Sequence, residues 1–185
     1  MKREEINVNN VPLLEYIQSS GNQYIDTGVK ATECFGIKIV YQSPTVQSGY
    51  APIISSALDN FTLANYSTMG TYLRYRGADI YRYWPRNTNI NTCVLLNGQA
   101  SFTGGENKTI STLSVGSDSN NIHIFHSATG GRFGSYRLFY LEMYANQQGA
   151  LLRKFYPAFI NRPGLFDEIH ENFYANAGSG EFLYA

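Results

Sequence analysis

The residues best suited to chemistry crowd into one stretch, "TYLRYRGADIYRYWPR", Thr71 to Arg86. It gathers Tyr72, Arg74, Tyr75, Arg76, Tyr81, Arg82, Tyr83, Trp84 and Arg86. Aromatic faces stack on the apolar side of a sugar ring, and guanidinium groups bond to hydroxyls or acids, so this composition suits a glycan or a protein partner. The alternative is structural: Tyr packing on a sheet surface with Arg laid across the rings. Single-stranded nucleic acid would use the same residue types. However, fourteen Lys plus Arg balance fourteen Asp plus Glu, so no net field draws in a polyanion.

Catalytic constellations are not legible. Glycoside hydrolysis needs two carboxylates, in the retaining geometry about 5–5.5 Å apart, and the strand-like segments offer Glu142 alone among apolar residues. Asp167, Glu168, His170 and Glu171 lie together in "DEIHE", but without the spacing of a zinc-binding H-E-x-x-H helix, and they read as a solvated turn. His123 and His126 are three residues apart, which on a regular strand sends them to opposite faces. "ATGGRFGS" is Gly-rich but has no helix behind it to cradle a phosphate, and reads as a loop. "GSDSNN", Gly116 to Asn121, makes Asp118 a weak calcium candidate, since calcium sites draw on several oxygen ligands. The chain is expected to be no enzyme, and to carry no cofactor.

Whatever these residues do, strands must position them. Fifteen Tyr and eleven Phe in 185 residues favour sheets. Period-two alternation recurs: "FGIKIVYQ" sets Phe35, Ile37, Ile39 and Tyr41 on one face, with Lys38 and Gln42 on the other. "NFTLANY", "TYLRY", "DIYRYW" and "NIHIFH" repeat it, and Asn97-Gly98 ends a strand with a pair suited to a two-residue hairpin turn. "SYRLFYLEMYA" is apolar on both faces, as in a strand buried between two layers. No 3.6-residue period is sustained; a short helix fits at most near residues 52–58. Ile37, Ile39, Leu138, Leu141 and Phe155 are the expected core. The composition and turn spacing predict an all-β, two-sheet antiparallel sandwich.

No stretch approaches the roughly 20 apolar residues of a membrane-spanning helix. "MKREEINVNNVP" lacks the apolar run of an export signal, so synthesis and retention in a cytoplasm are expected. In that compartment Cys34 and Cys93, far apart in sequence, are expected to be buried free thiols.

Several motifs carry more specific information. "YIQSSGNQYIDTG" spans Tyr16 to Gly28; "GSYRLFYLEMY", Pro157, "GLFD" (Gly164 to Asp167) and "FYANAGSG" (Phe173 to Gly180) follow. Over residues 14–182 the chain resembles a family of concanavalin A-like, laminin-G-like jelly-roll domains of phages and gut bacteria. It departs from that pattern at Lys154, where an acid is usual, in "DEIHENFY", which lacks the usual Gly, and in the central tyrosine-rich segment, which aligns with no motif. The resemblance implies a jelly-roll domain over residues 13–185, with segments 14–29 and 172–184 side by side and the "GLFDEIHENFYANAGSGEF" ribbon closing the sheet. It further implies a non-catalytic phage virion structural or accessory protein, located in the virion and made in the host cytoplasm. The expected partners are other virion proteins or copies of itself, with host-surface polysaccharide as a further ligand; neither nucleic acid nor membrane insertion is expected. A bacterial carbohydrate-binding module is the alternative. Residues 1–12 form a separate arm, whose Ile6, Val8 and Val11 alternate at near-strand spacing and are expected to lie extended on a neighbouring subunit.

Overall fold

A computed structural model describes residues 7–8, 10–47, 49–56, 61–66, 70–75, 78–84, 87–105, 107–110, 118–127 and 131–185; side chains are described from residue 10 onward, except at 78–84. The described residues open on a paired β1 (Asn7–Val8) and β2 (Val11–Pro12), then enter β3 (Ile17–Gln18), β4 (Ile25–Lys30) and β5 (Gly36–Gln42). A meander follows: β6 (Tyr50–Ser55), β7 (Phe61–Tyr66), β8 (Thr71–Tyr75) and β9 (Ala78–Trp84). Next come β10 (Ile90–Leu96), β11 (Gln99–Phe102) and β12 (Lys108–Thr109), then β13 (Asn121–Ile124), β14 (His126–Ser127) and β15 (Arg132–Phe133). The last strands are β16 (Arg137–Tyr144), β17 (Leu151–Phe159), β18 (Pro163–Asp167), β19 (Asn172–Ala175) and β20 (Leu183–Tyr184). No helix occurs among the described residues. Pro52 to Ser55, where a short helix was conceivable, lie inside β6, because β-branched Ile53 and Ile54 are fully buried between strands.

Two antiparallel sheets share one core, the arrangement of a β-sandwich. The larger runs β12-β11-β10-β5-β16-β17-β18-β19, with β3 attached at β16 and β20 on β3; the smaller runs β4-β13-β6-β7-β8-β9. Ile37, Ile39, Leu138, Leu141 and Phe155 are all fully buried in the shared core, as the period-two pattern requires. Cys34 and Cys93 are buried and unbridged. The Asn97-Gly98 turn joins β10 to β11 with both residues in the left-handed region (φ 52° and 68°), which suits the right-handed twist of the paired strands.

Strand β16 departs from expectation. It buries one face only: Leu138, Leu141 and Met143 point into the core, while Phe139, Tyr140 and Glu142 stay half-exposed on the other side. A register irregularity between Leu138 and Tyr140 opposite β5 places two outward residues in a row, which is why the segment reads as apolar on both faces.

The chain ends close on each other. β20 pairs β3 through Leu183–Gln18 and Tyr184–Ile17, Ala177 N–H donates to Tyr24 O (2.9 Å), and Ser179 N–H donates to Asn22 O (3.1 Å). Phe182 folds back into the core against Phe125, ring centres 6.1 Å apart. A Cβ at Gly178 would lie 2.1 Å from Asn22 O, so the two segments approach this closely only because glycine occupies that position.

Candidate functional site

The described part of the tyrosine and arginine cluster, Tyr72, Arg74 and Tyr75, is divided between the two faces of the smaller sheet. In the register, Ser55 faces Thr62, Thr62 faces Arg74, and Ala64 faces Tyr72, so Arg74 and Tyr72 share the outer face. Leu73 and Tyr75 take the inner face. Tyr75 is a core residue, 1% exposed, with its ring on Phe61 and its hydroxyl donating to Phe35 O across the sandwich at 2.6 Å. Its alternation with Tyr72 and Arg74 removes it from any ligand surface. Tyr81, Arg82, Tyr83 and Trp84 belong to β9, whose side chains are not described, and Arg76 and Arg86 lie outside the described residues. Tyr72 is itself buried, and supports Tyr66, whose ring stands edge-on to Tyr50 at 6.0 Å. The Arg132 guanidinium lies over the Tyr50 ring at 5.4 Å.

The histidines overturn the expectation of opposite faces. Phe125, between β13 and β14, adopts φ 67°, which breaks the two-residue alternation and returns His126 to the face that carries His123. Phe125 turns inward instead and is fully buried. His123 Nδ1 and His126 Nδ1 meet at 3.1 Å. Their ring centres are 5.4 Å apart, that contact plus about one ring radius at each end, so the nitrogens face head-on and share one proton as an N–H···N bond. Tyr24 lies across both rings, at 5.0 Å from His123 and 4.6 Å from His126, and Phe133 packs on His126 at 4.6 Å. Burial lowers the His123 pKa against the opposing pull of Asp26; burial and then the charge of His123 lower that of His126. At neutral pH the pair is therefore uncharged.

Beside this ring cluster an open surface depression of about 340 Å³ is lined by Asp26, Ser119, Asn120, Asn121 and His123. Asp26 Oδ1 accepts from Gly28 N–H (2.9 Å) and Asn121 Nδ2 (3.0 Å), while Oδ2 lies 3.8 Å from His123 Nε2. The carboxylate is thus held in place with lone pairs left over. Asp118, the calcium candidate, is fully buried, and its Oδ1 accepts from Asn120 N–H (3.0 Å) and Nδ2 (2.7 Å). It shapes the loop that forms one wall of the cavity.

The other acidic groups are committed elsewhere. "DEIHE" is not wholly solvated: Asp167 is fully buried, accepting from Lys154 N–H (3.2 Å) and Ile169 N–H (3.1 Å), with Arg153 Nε at 3.3 Å and His170 Nδ1 at 2.9 Å. A buried carboxylate with that many donors pins the β18–β19 turn. Glu142 accepts from the hydroxyls of Tyr140 and Tyr144 (the latter at 2.6 Å), and these bonds with Lys38 and Lys154 nearby keep its pKa low in spite of desolvation. Lys154 pairs with Glu168 at 2.5 Å, and Arg137 donates to Gln18 and Gln42. On the outer face of the larger sheet, these polar groups satisfy one another.

The arm is not extended over its described part. Asn7 pairs Pro12 and Val8 pairs Val11, with Asn10 at φ 64°, so residues 7–12 fold back as a hairpin and half-buried Val11 packs near β17. Ile6 lies outside the described residues.

Sequence reasoning missed Tyr24, Asp26, Asn121, His123, His126 and Phe133 as a group. The signal that could have found them is the bulge, but nothing in "NIHIFHS" announces a positive φ at a phenylalanine. No family model matches the chain, and no curated protein matches it.

Proposed function

We propose that this chain is a concanavalin A-like jelly-roll domain that serves a phage virion as a non-catalytic structural or accessory component, and that it contacts host-surface glycans through the Asp26–Asn121–His123 cavity. The cavity is the observation that carries the glycan reading. A fixed carboxylate, two amides and an imidazole converge on a space of single-sugar size, beside a platform of half-buried rings. Carboxylate and amide pairs match the vicinal hydroxyls of a sugar, each of which both donates and accepts. Asp26 is the one carboxylate in the lining among the described residues, whereas glycoside hydrolysis uses two, and the reading here is binding. The virion setting rests on the sequence resemblance, and balanced charge supports a partner other than nucleic acid.

A bacterial carbohydrate-binding module would use the same cavity. The hairpin at residues 7–12 favours that second reading, because a segment paired with itself offers less main chain to a neighbouring subunit.

Glycan-array binding by the purified domain tests the shared claim. Defined saccharides should bind, and Asn121→Ala should weaken them by about tenfold or more, the loss of roughly one well-placed hydrogen bond. An array on which the wild-type domain binds nothing overturns the reading. Deleting residues 2–11 separates the two settings. Lost incorporation into particles with glycan binding intact supports the virion component, and normal occupancy supports the module.

A further inference from the structure

The outer face of the smaller sheet continues well past the cavity. Register pairing places Asp26, His123, Ser55, Thr62 and Arg74 on one rung across β4, β13, β6, β7 and β8, but Ser55 and Thr62 are fully buried, so this rung is covered in its middle. A second line of contacts leaves the cavity through rings. His123 meets His126, His126 meets Phe133, the neighbouring Arg132 covers Tyr50, and Tyr50 meets Tyr66. Tyr66 is 40% exposed, an unusual position for a tyrosine whose neighbours Ala64 and Tyr72 are buried. Its ring is held from the side by Tyr72 at 6.3 Å and by Tyr50, so it is a fixed platform and not a loose side chain. The opposite sheet also carries half-exposed rings, Tyr16, Phe139, Tyr140 and Tyr156 among them, but the polar groups beside them bond to one another.

From β4 to β7 the track crosses three strand spacings of about 4.8 Å, or roughly 14 Å, which is more than one sugar ring covers. We infer that the ligand is a linear oligosaccharide several residues long, with one residue seated in the Asp26–Asn121–His123 cavity and the chain laid over Tyr24, His126, Phe133 and Tyr50 to end on Tyr66. This rests on the glycan reading of the cavity and adds the ligand class: an internal run of a polysaccharide, not a single terminal sugar. At its cavity end the track carries the Asp26 carboxylate, beside a histidine pair whose pKa values burial lowers. Arg132 supplies a donor further along.

The test uses the full chain and length series of α- and β-linked gluco-, manno- and chito-oligosaccharides from one to six residues, first arrayed and then titrated calorimetrically. Within the series that binds, affinity should rise by about tenfold or more between one residue and four. Tyr66→Ala should remove that rise and leave binding of the shortest ligand unchanged. Tyr66→Ser and Tyr50→Ala, each checked for native circular dichroism, repeat the measurement should Tyr66→Ala fold poorly. Affinity that does not depend on length, with all three variants silent, overturns the track and leaves the cavity reading standing. If no saccharide of any length binds, the cavity reading and the track fall together.

Discussion

The histidine pair shows how a single backbone angle changes what a residue can do. With Phe125 at φ 67°, His126 joins His123 under Tyr24 and the two imidazoles share a proton, whereas a regular strand would have sent one of them inward. The pair has a consequence for stability. Both histidines have pKa values held below the ordinary value by burial, so between about pH 6.5 and their folded values the unfolded chain binds more protons than the folded one. Stability should therefore be level above pH 7 and fall as the pH drops below about 6.5. Denaturant midpoints measured from pH 8 to pH 5 should show this decline. His123→Gln combined with His126→Gln should flatten it, and an equal decline in the double variant would show that other groups are responsible.

Among the elements, the closing ribbon is anchored at several points. It is tied to residues 14–29 by main-chain bonds from Ala177 and Ser179, by Tyr24 N–H donating to Asn176 Oδ1 at 3.0 Å, and by Gln23 Nε2 donating to Ser179 O at 3.2 Å. These bonds shield what would otherwise be an open sheet edge. The approach at Gly178 leaves no room for a side chain, and the atom a Cβ would strike is a backbone oxygen that cannot rotate away. Gly178→Ala should lower unfolding free energy by roughly 1–3 kcal/mol, the usual cost of overpacking. A chemical-denaturation midpoint identical to wild type would mean that the ribbon shifts freely. The strands around it were legible from alternation. The departures occur at bulges, between Leu138 and Tyr140 and again at Phe125, where one extra or left-handed residue resets which side chains point outward.

At the scale of the whole molecule, two tyrosine hydroxyls link the sheets: Tyr75 donates to Phe35 O, and Tyr136 donates to Ala51 O at 3.0 Å. Both rings are buried, so each hydroxyl does in the interior what water would do outside. Tyr75→Phe should cost about 1 kcal/mol and leave glycan binding unchanged, which separates it from Tyr66→Ala at the ligand face. Weakened glycan binding by Tyr75→Phe would mean that the inner face communicates with the outer.

The family resemblance implied the meeting of the chain ends; residue by residue, the sequence determined the all-β class, the core, the free buried thiols and the Asn97-Gly98 hairpin. Each of these follows from local alternation, turn residues or composition, which neighbouring residues express without help from the rest of the chain. Only the tertiary structure decided which tyrosines face outward, that Asp167 is buried among donors, that residues 7–12 turn back on themselves, and that Asp26 of β4 meets Asn121 and His123 of β13. The meeting of Asp26 with Asn121 and His123 depends on register between strands nearly a hundred residues apart and on the bulges that shift it. The energy that selects these outcomes comes from packing across the sandwich, which no short window of sequence contains.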